Sequence, residues 1–200
     1  MLPTFDFITA LKFASHAMAT NDVRYYLNGV LFRFVGDTLL LTGSDGHRIA
    51  KVRLNLKGCP LSGDYIVKCD SVKDVLQTIK PKQSDTSQVK LEKAPGGPDD
   101  LMLTAGAFML VLEVQDGRYP DFERATPNGD PQGCPTIGIN ADYLADAARA
   151  LKPLSHGKYK ALTIDTWTAN QCMRLRCKPD ARGLTAIDGE AVVHIMPMRV

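Results

Sequence analysis

Two segments of this chain lie 72 residues apart and follow the same pattern, and that repetition constrains the fold more than any other feature. Val67 aligns with Ile139, Val72 with Leu144, Asp74 with Asp146, Ile79 with Leu151, and Lys80-Pro81 with Lys152-Pro153. In each segment the apolar residues recur at i, i+3, i+4 and i+7: Val72, Val75, Leu76 and Ile79, then Leu144, Ala147, Ala148 and Leu151. That stripe buries one face of an α-helix, and the proline ends it by removing a donor and clashing with the preceding turn. Asp70 and Asn140 stand where side-chain oxygens cap the first turn. The spacing of Phe7, Leu11, Ala14 and Met18 predicts a third helix over Phe7 to Met18, with Thr9, Lys12, His16 and Thr20 opposite.

After each helix the period drops to two. Val30 to Val35, Thr38 to Thr42 and Arg48 to Leu54 read as three strands joined by turns at Gly36-Asp37 and Asp45-Gly46. Gln88 to Leu91, Leu101 to Thr104 and Phe108 to Val114 repeat the trio, and Ala161 to Asp165, Cys172 to Cys177 and Ala191 to Ile195 repeat it again. The unit is a short strand, a helix and three antiparallel strands, occurring three times at roughly 1–62, 63–127 and 128–200. A Pro/Gly-rich linker at 126–136 separates a complete domain over 1–125, made of units 1–62 and 63–125, from a half domain over 137–200. The fold class is α+β, with helices on one face of antiparallel sheets.

Composition excludes whole classes of function. No run approaches the roughly 18 apolar residues of a membrane span, and the opening Met1-Leu2-Pro3-Thr4 has no leader pattern, which points to a cytoplasmic protein. Five cysteines, an odd number in a chain large enough to build a core, argue against a disulfide framework. Cys172 and Cys177 with His156 or His194 lack the second close-spaced pair that a zinc site needs, so no metal or other cofactor is expected. A net charge of +2 is too small for a protein that grips nucleic acid mainly by neutralising phosphates.

Several motifs carry a more specific signal. Asp22-Val23-Arg24-Tyr25-Tyr26-Leu27-Asn28-Gly29 followed by Ser44-Asp45-Gly46-His47-Arg48-Ile49-Ala50 resembles the second domain of the bacterial DNA polymerase III β subunit, the sliding clamp. Asp116-Gly117-Arg118-Tyr119-Pro120-Asp121-Phe122 resembles the segment leaving that domain, and Ile139-Asn140-Ala141-Asp142-Tyr143 a helix start in the last half of the third. The terminal Met196-Pro197-Met198-Arg199-Val200 resembles the clamp's C-terminal tail. The resemblance covers both units of the second domain and the last unit of the third. It implies the DNA-clamp fold, built here from three strand-helix-three-strand units, and a non-enzymatic role in replication. The family's head-to-tail contact joins a first domain to a third, so its ring closure does not carry over.

The resemblance also implies a cleft for short, partly hydrophobic peptides of DNA polymerases, clamp-loader subunits and repair proteins. Its positions are Leu27, Ser44, Gly46, His47, Arg48 and Ile49 on one wall and Pro120, Arg124 and Ala125 on the exit strand. Asn140, Tyr143, His194, Ile195, Met196, Pro197, Met198 and Arg199 form the other wall. Methionine and proline make an adaptable apolar groove, while arginine and asparagine fix an extended backbone or a carboxylate. Taken alone, Ser44, Asp45 and His47 would suggest a nucleophilic enzyme, but no nucleophile elbow or oxyanion hole surrounds them and no catalytic role is expected.

If the helices line a channel, as the resemblance implies, Lys12, His16, Lys73, Lys80, Arg149 and Lys152 face DNA phosphates, joined by Arg24, Tyr25 and Tyr26 after the first helix. Asp74, Asp142 and Asp146 interleave with them, so each cation singly fits a solvated face as well. Net charge by unit is +3, −3 and +2, favouring DNA contact by the first and third. A family ring contains twelve such units; with three per chain, four copies make a tetrameric ring that encircles duplex DNA and tethers a polymerase. The alternative is a module that does not encircle DNA and competes for clamp-binding peptides at a replisome.

Overall fold

The computed structural model describes residues 2–95, 99–125, 137–155, 161–168, 170–177 and 191–198. Strand β1 (Leu2–Pro3) runs into helix α1 (Thr4–Ser15), and a 3-10 turn at Tyr25–Leu27 leads to β2 (Gly29–Val35), β3 (Thr38–Ser44) and β4 (Arg48–Asn55). The second repeat contains β5 (Gly63–Lys68), α2 (Cys69–Thr78), β6 (Gln88–Lys93), β7 (Leu101–Ala105) and β8 (Phe108–Leu112). Strand β9 (Val114–Gln115) and the short helix α3 (Phe122–Ala125) follow. Helix α4 (Ala141–Leu151) and strands β10 (Thr163–Asp165), β11 (Met173–Cys177) and β12 (Ala191–Ile195) make up the third.

Helix α1 starts earlier than its apolar stripe. Its first turn is held from outside, where the Thr4 N–H donates to the Ser87 carbonyl at 2.9 Å and the Ser87 hydroxyl bonds Thr4 Oγ1 at 2.7 Å. It also ends earlier, at Ser15, leaving Met18 buried just beyond the helix. Asp70 is not a cap: Lys68 occupies the cap position of α2, and Asp70 lies in the first turn, where its charge complements the helix dipole. Asn140 does cap α4, its side chain accepting from the Asp142 N–H at 2.9 Å and the Tyr143 N–H at 3.3 Å. The strand expected over Phe108 to Val114 is two strands. At Glu113 the chain leaves one sheet for the other, its N–H bonded to Ser71 Oγ at 3.0 Å and its carbonyl taken by the Lys68 N–H at 2.9 Å.

Every strand pairing is antiparallel, in a four-stranded sheet ordered β1-β6-β7-β8 and an eight-stranded sheet ordered β10-β11-β12-β4-β3-β2-β5-β9. The first two repeats therefore exchange their leading strands. Leu2 of β1 lies opposite Val89 of β6, and Val67 of β5 opposite Val30 of β2, so neither repeat closes a sheet on its own. The third repeat joins the first by its last strand, with Val193 opposite Ala50 and Ile195 opposite Arg48.

One continuous core runs through all three repeats and includes Phe7, Leu11 and Ala14 of α1, Val72 and Val75 of α2, and Ala147 and Leu151 of α4. Phe7 meets Phe32 edge to face, ring centroids 6.2 Å apart. Gly43 lets α1 lie directly on β3, since a Cβ there would run into the Ala14 carbonyl. Among the described residues no helix is long and apolar enough to cross a membrane.

Candidate functional site

The β3–β4 turn is built by its own side chains. Gly46 has φ +85°, a left-handed conformation that favours glycine. Asp45 Oδ1 accepts from the His47 and Arg48 N–H groups at 2.9 and 3.1 Å. Ser44 Oγ accepts from the Gly46 N–H at 3.0 Å and donates to the Arg48 carbonyl at 2.8 Å. The Ser44 hydroxyl is thus a turn-forming group.

This turn presents Arg48 across the seam between the first and third repeats. Its side chain, 13% exposed, reaches Asp45 through Nε and Asp146 of α4 through Nη1, each at 3.0 Å. The guanidinium also lies over the Tyr143 ring, 5.0 Å from its centroid, and His47 stacks on the same ring at 6.2 Å. The Asn140 cap bonds the Tyr143 backbone, so it helps set where that ring projects. Arg48 and, more weakly, Arg149 hold the Asp146 carboxyl below the usual carboxylate range. The end of β12 closes the seam: the Met196 N–H donates to the His47 carbonyl at 3.1 Å and the Met198 N–H to the Gly138 carbonyl at 2.8 Å.

Beside the turn lies a second fastened loop. Asp22 and Asn28 exchange two hydrogen bonds of 2.8 Å, and Arg24 forks onto Asp22 at 2.9 and 2.7 Å while bonding the Asp45 carbonyl at 3.1 Å. Arg24 brings the Asp22 carboxyl down to about 2. Leu27, 1% exposed, packs with Ala19, Leu31, Ile66 and Tyr119, and Phe122 stacks edge-on against Tyr119 at 5.5 Å. Burial pushes the Tyr119 hydroxyl well above its ordinary value.

The seam gathers Gly46, His47, Arg48, Tyr143, Met196, Pro197 and Met198, with Met198 53% exposed. Leu27, Ser44, Ile49, His194 and Ile195 are buried and offer no exposed surface to a groove. Pro120 is half-buried and Arg124 exposed; Arg199 and the side chain of Ala125 lie outside the described residues, as does the linker 126–136. Asp146 was expected only as a diluting anion on the helix face, and it is the clasp between repeats. Its alignment with Asp74 was visible in the sequence; its partner Arg48, 98 residues away, was not.

Of the cations expected to face DNA, Lys12, His16 and Arg149 come together around a cavity of about 670 Å³ that also has Phe13, Leu76 and Pro153 in its wall. Lys152 is exposed just past α4, Lys80 is exposed, and Lys73 stands 3.7 Å from Asp70. Arg24, Tyr25 and Tyr26 are elsewhere, the tyrosines against Gly117 and the Tyr25 carbonyl accepting from Gln115 Nε2 at 2.9 Å. A second cavity, of about 390 Å³, lies beside Tyr65, Gln115 and Arg118. Neither of these cavities includes a residue expected to contact peptide.

Residues 1–121 match the family of the DNA polymerase III beta subunit, central domain. The chain belongs to that family. Among curated relatives it is 30% identical to the beta sliding clamp of Vibrio cholerae over 156 residues, covering 74% of this chain and 38% of that protein. The beta sliding clamp of Pseudomonas aeruginosa is 31% identical over 157 residues, covering 75% and 39%. This clamp-family chain thus spans about two fifths of the length of these relatives. Solved sliding clamps share its fold: that of Bacillus subtilis superposes with a TM-score of 0.76 at 16% identity, covering 100% of this chain and 63% of that one. The clamp of Caulobacter crescentus gives 0.74 at 19% identity, with 100% and 65% covered.

Proposed function

We propose that this protein is a processivity factor without catalytic chemistry, copies of which assemble around duplex DNA and hold a polymerase or repair protein by a short peptide bound along the seam. The observation that carries this reading is the β4·β12 pairing, which brings the His47–Arg48 turn, Tyr143 and the Met196–Met198 tail to one place. Methionine and tyrosine offer adaptable apolar contact, and the half-buried Arg48 offers a fixed charge for a carboxylate or carbonyl. A ring retains DNA by closure, so a modest positive lining from Lys12 and Arg149 is compatible with sliding, and the tethered enzyme gains effective concentration. Three repeats per chain suit a ring of four copies, and a loader protein is the natural agent to open it.

The experiment is retention on DNA. Protein assembled on nicked circular plasmid should survive a high-salt wash and be lost once the plasmid is linearised. Equal loss from both forms would remove encirclement and leave the non-encircling, peptide-competing module. For the seam, Tyr143→Ala with Met198→Ala should weaken a clamp-binding peptide at least about tenfold, a change of ~1.4 kcal/mol. Unchanged affinity would take the seam out of the reading.

A further inference from the structure

We propose that strand β8 is a self-association surface that pairs antiparallel with β8 of a second copy of this chain, about a two-fold axis through Leu110. The repeat supplies the first reason. Strands β4, β8 and β12 are the last strands of the three trios; β4 and β12 pair with each other, while β8 has β7 on one side and no described strand on the other. The chain therefore already builds one joint between last strands, and among the described residues β8 is the equivalent strand left open.

The residues suit a copy of themselves. Phe108-Met109-Leu110-Val111-Leu112 contains no charge and no proline, the usual devices that protect a sheet edge. Met109 and Val111 are 66% and 58% exposed. Antiparallel pairing about Leu110 sets Met109 opposite Val111 of the copy and Phe108 opposite Leu112, so every cross-strand pair is apolar. By contrast β10, the other trio edge, is a first strand whose counterparts β2 and β6 take leading strands, and it carries Asp165.

Five paired residues alone fall short of the roughly 1,200 Å² that a stable interface buries, so the joint must include helices. The existing joint shows how: α1 packs on β4, α4 on β12, and the two helices touch. Helix α2 packs on β8 in the same way. Residues 69–80 carry two aspartates and two lysines, and Asp74, at the position that Asp146 holds in α4, is exposed, as is Lys80.

The test is solution mass by sedimentation across roughly 1–100 μM, which brackets micromolar dissociation constants. The wild-type chain should show concentration-dependent doubling, the first step toward a ring of four copies. Met109→Lys with Val111→Lys, which sets like charges opposite each other, should raise that dissociation constant at least about tenfold, with the thermal melt unchanged at a concentration where both chains are monomers. Ile164→Lys, on the exposed face of β10, should leave it unaltered. A wild-type monomer at the highest concentration overturns the proposal, and so does association lost in Ile164→Lys but kept in the β8 variant. Monomers whose β8 amides are slow to exchange would assign the edge to another segment and overturn it as well. A β8-dependent dimer that washes off circular and linear DNA alike leaves this joint standing and removes only the ring.

Discussion

His16 stands on the end of α1 with Nδ1 2.7 Å from the Phe13 carbonyl, while its buried Nε2 has no hydrogen-bond partner among the described residues. The neutral ring suits this setting, since a second proton would sit on Nε2 with no acceptor. Burial is the main cause lowering its pKa below the ordinary 6.5; the Phe13 carbonyl opposes it, Arg48 adds to it, and Asp146 and Asp45 weakly oppose it. An unfolded chain takes this proton at higher pH than the folded one, so the contribution is intact above about 6.5 and is lost as pH falls through the window below it. The melting temperature should therefore drop between about pH 7 and 5, and His16→Gln should flatten that drop by at least about 2 °C. The Asp22 and Asp146 carboxyls, both lowered from 3.8, are lost only in a more acidic window, so the two effects separate in a pH series of melts. Gly43 makes a different demand. A methyl group there meets the rigid Ala14 carbonyl, so Gly43→Ala should cost about 1–3 kcal/mol in denaturant melts, the range for overpacking.

At the scale of elements, α4 and β4 are tied by one side chain. Arg48→Ala removes the link to Asp146, the contact with Asp45 and the cover over Tyr143. Because Asp146 is partly exposed, the pair is screened, and a loss of about 1–2 kcal/mol is expected. The loss should be local: amide exchange should quicken in β12 and leave β6 to β8 unchanged. The same seam shows what the sequence could tell. Asn140 was readable as a cap because capping is chemistry within three residues, and strand trios were readable because turns at Gly36-Asp37 and Asp45-Gly46 punctuate them. Asp70 misled because the same residue type also serves inside a first turn. The break at Glu113 was hidden in an almost continuous apolar run, and only Ser71 and Lys68, more than 40 residues away, set it. Leu27 and Ile49 looked like groove residues because a motif records position and not burial. The exchange of β1 and β5 between repeats was illegible, since either pairing gives the same alternation along the chain.

For the whole molecule, that exchange decides which parts are separable. Strand β1 completes the sheet of the second repeat and β5 that of the first, with α1 and α2 packed against each other, so the first two repeats supply one another's missing pieces. Among the described residues the third has no such companion: its trio rests on β4, and Ala147, Leu151, Leu175 and Val193 share the core of the others. Half a sandwich with one helix buries too little apolar surface to offset the entropy of ordering its chain. Residues 1–125 should therefore fold alone as one domain and melt cooperatively, while residues 126–200 alone should give the circular dichroism of a coil. The isolated domain should nonetheless melt below the full chain, because removing β12 bares the edge of β4 and leaves Arg48 with only Asp45. A fragment 1–125 that stays unfolded would make the third repeat part of the folding unit and not a module docked onto it. In that case the seam could not open and close while the rest stays folded, and a peptide there would have to bind a fixed surface.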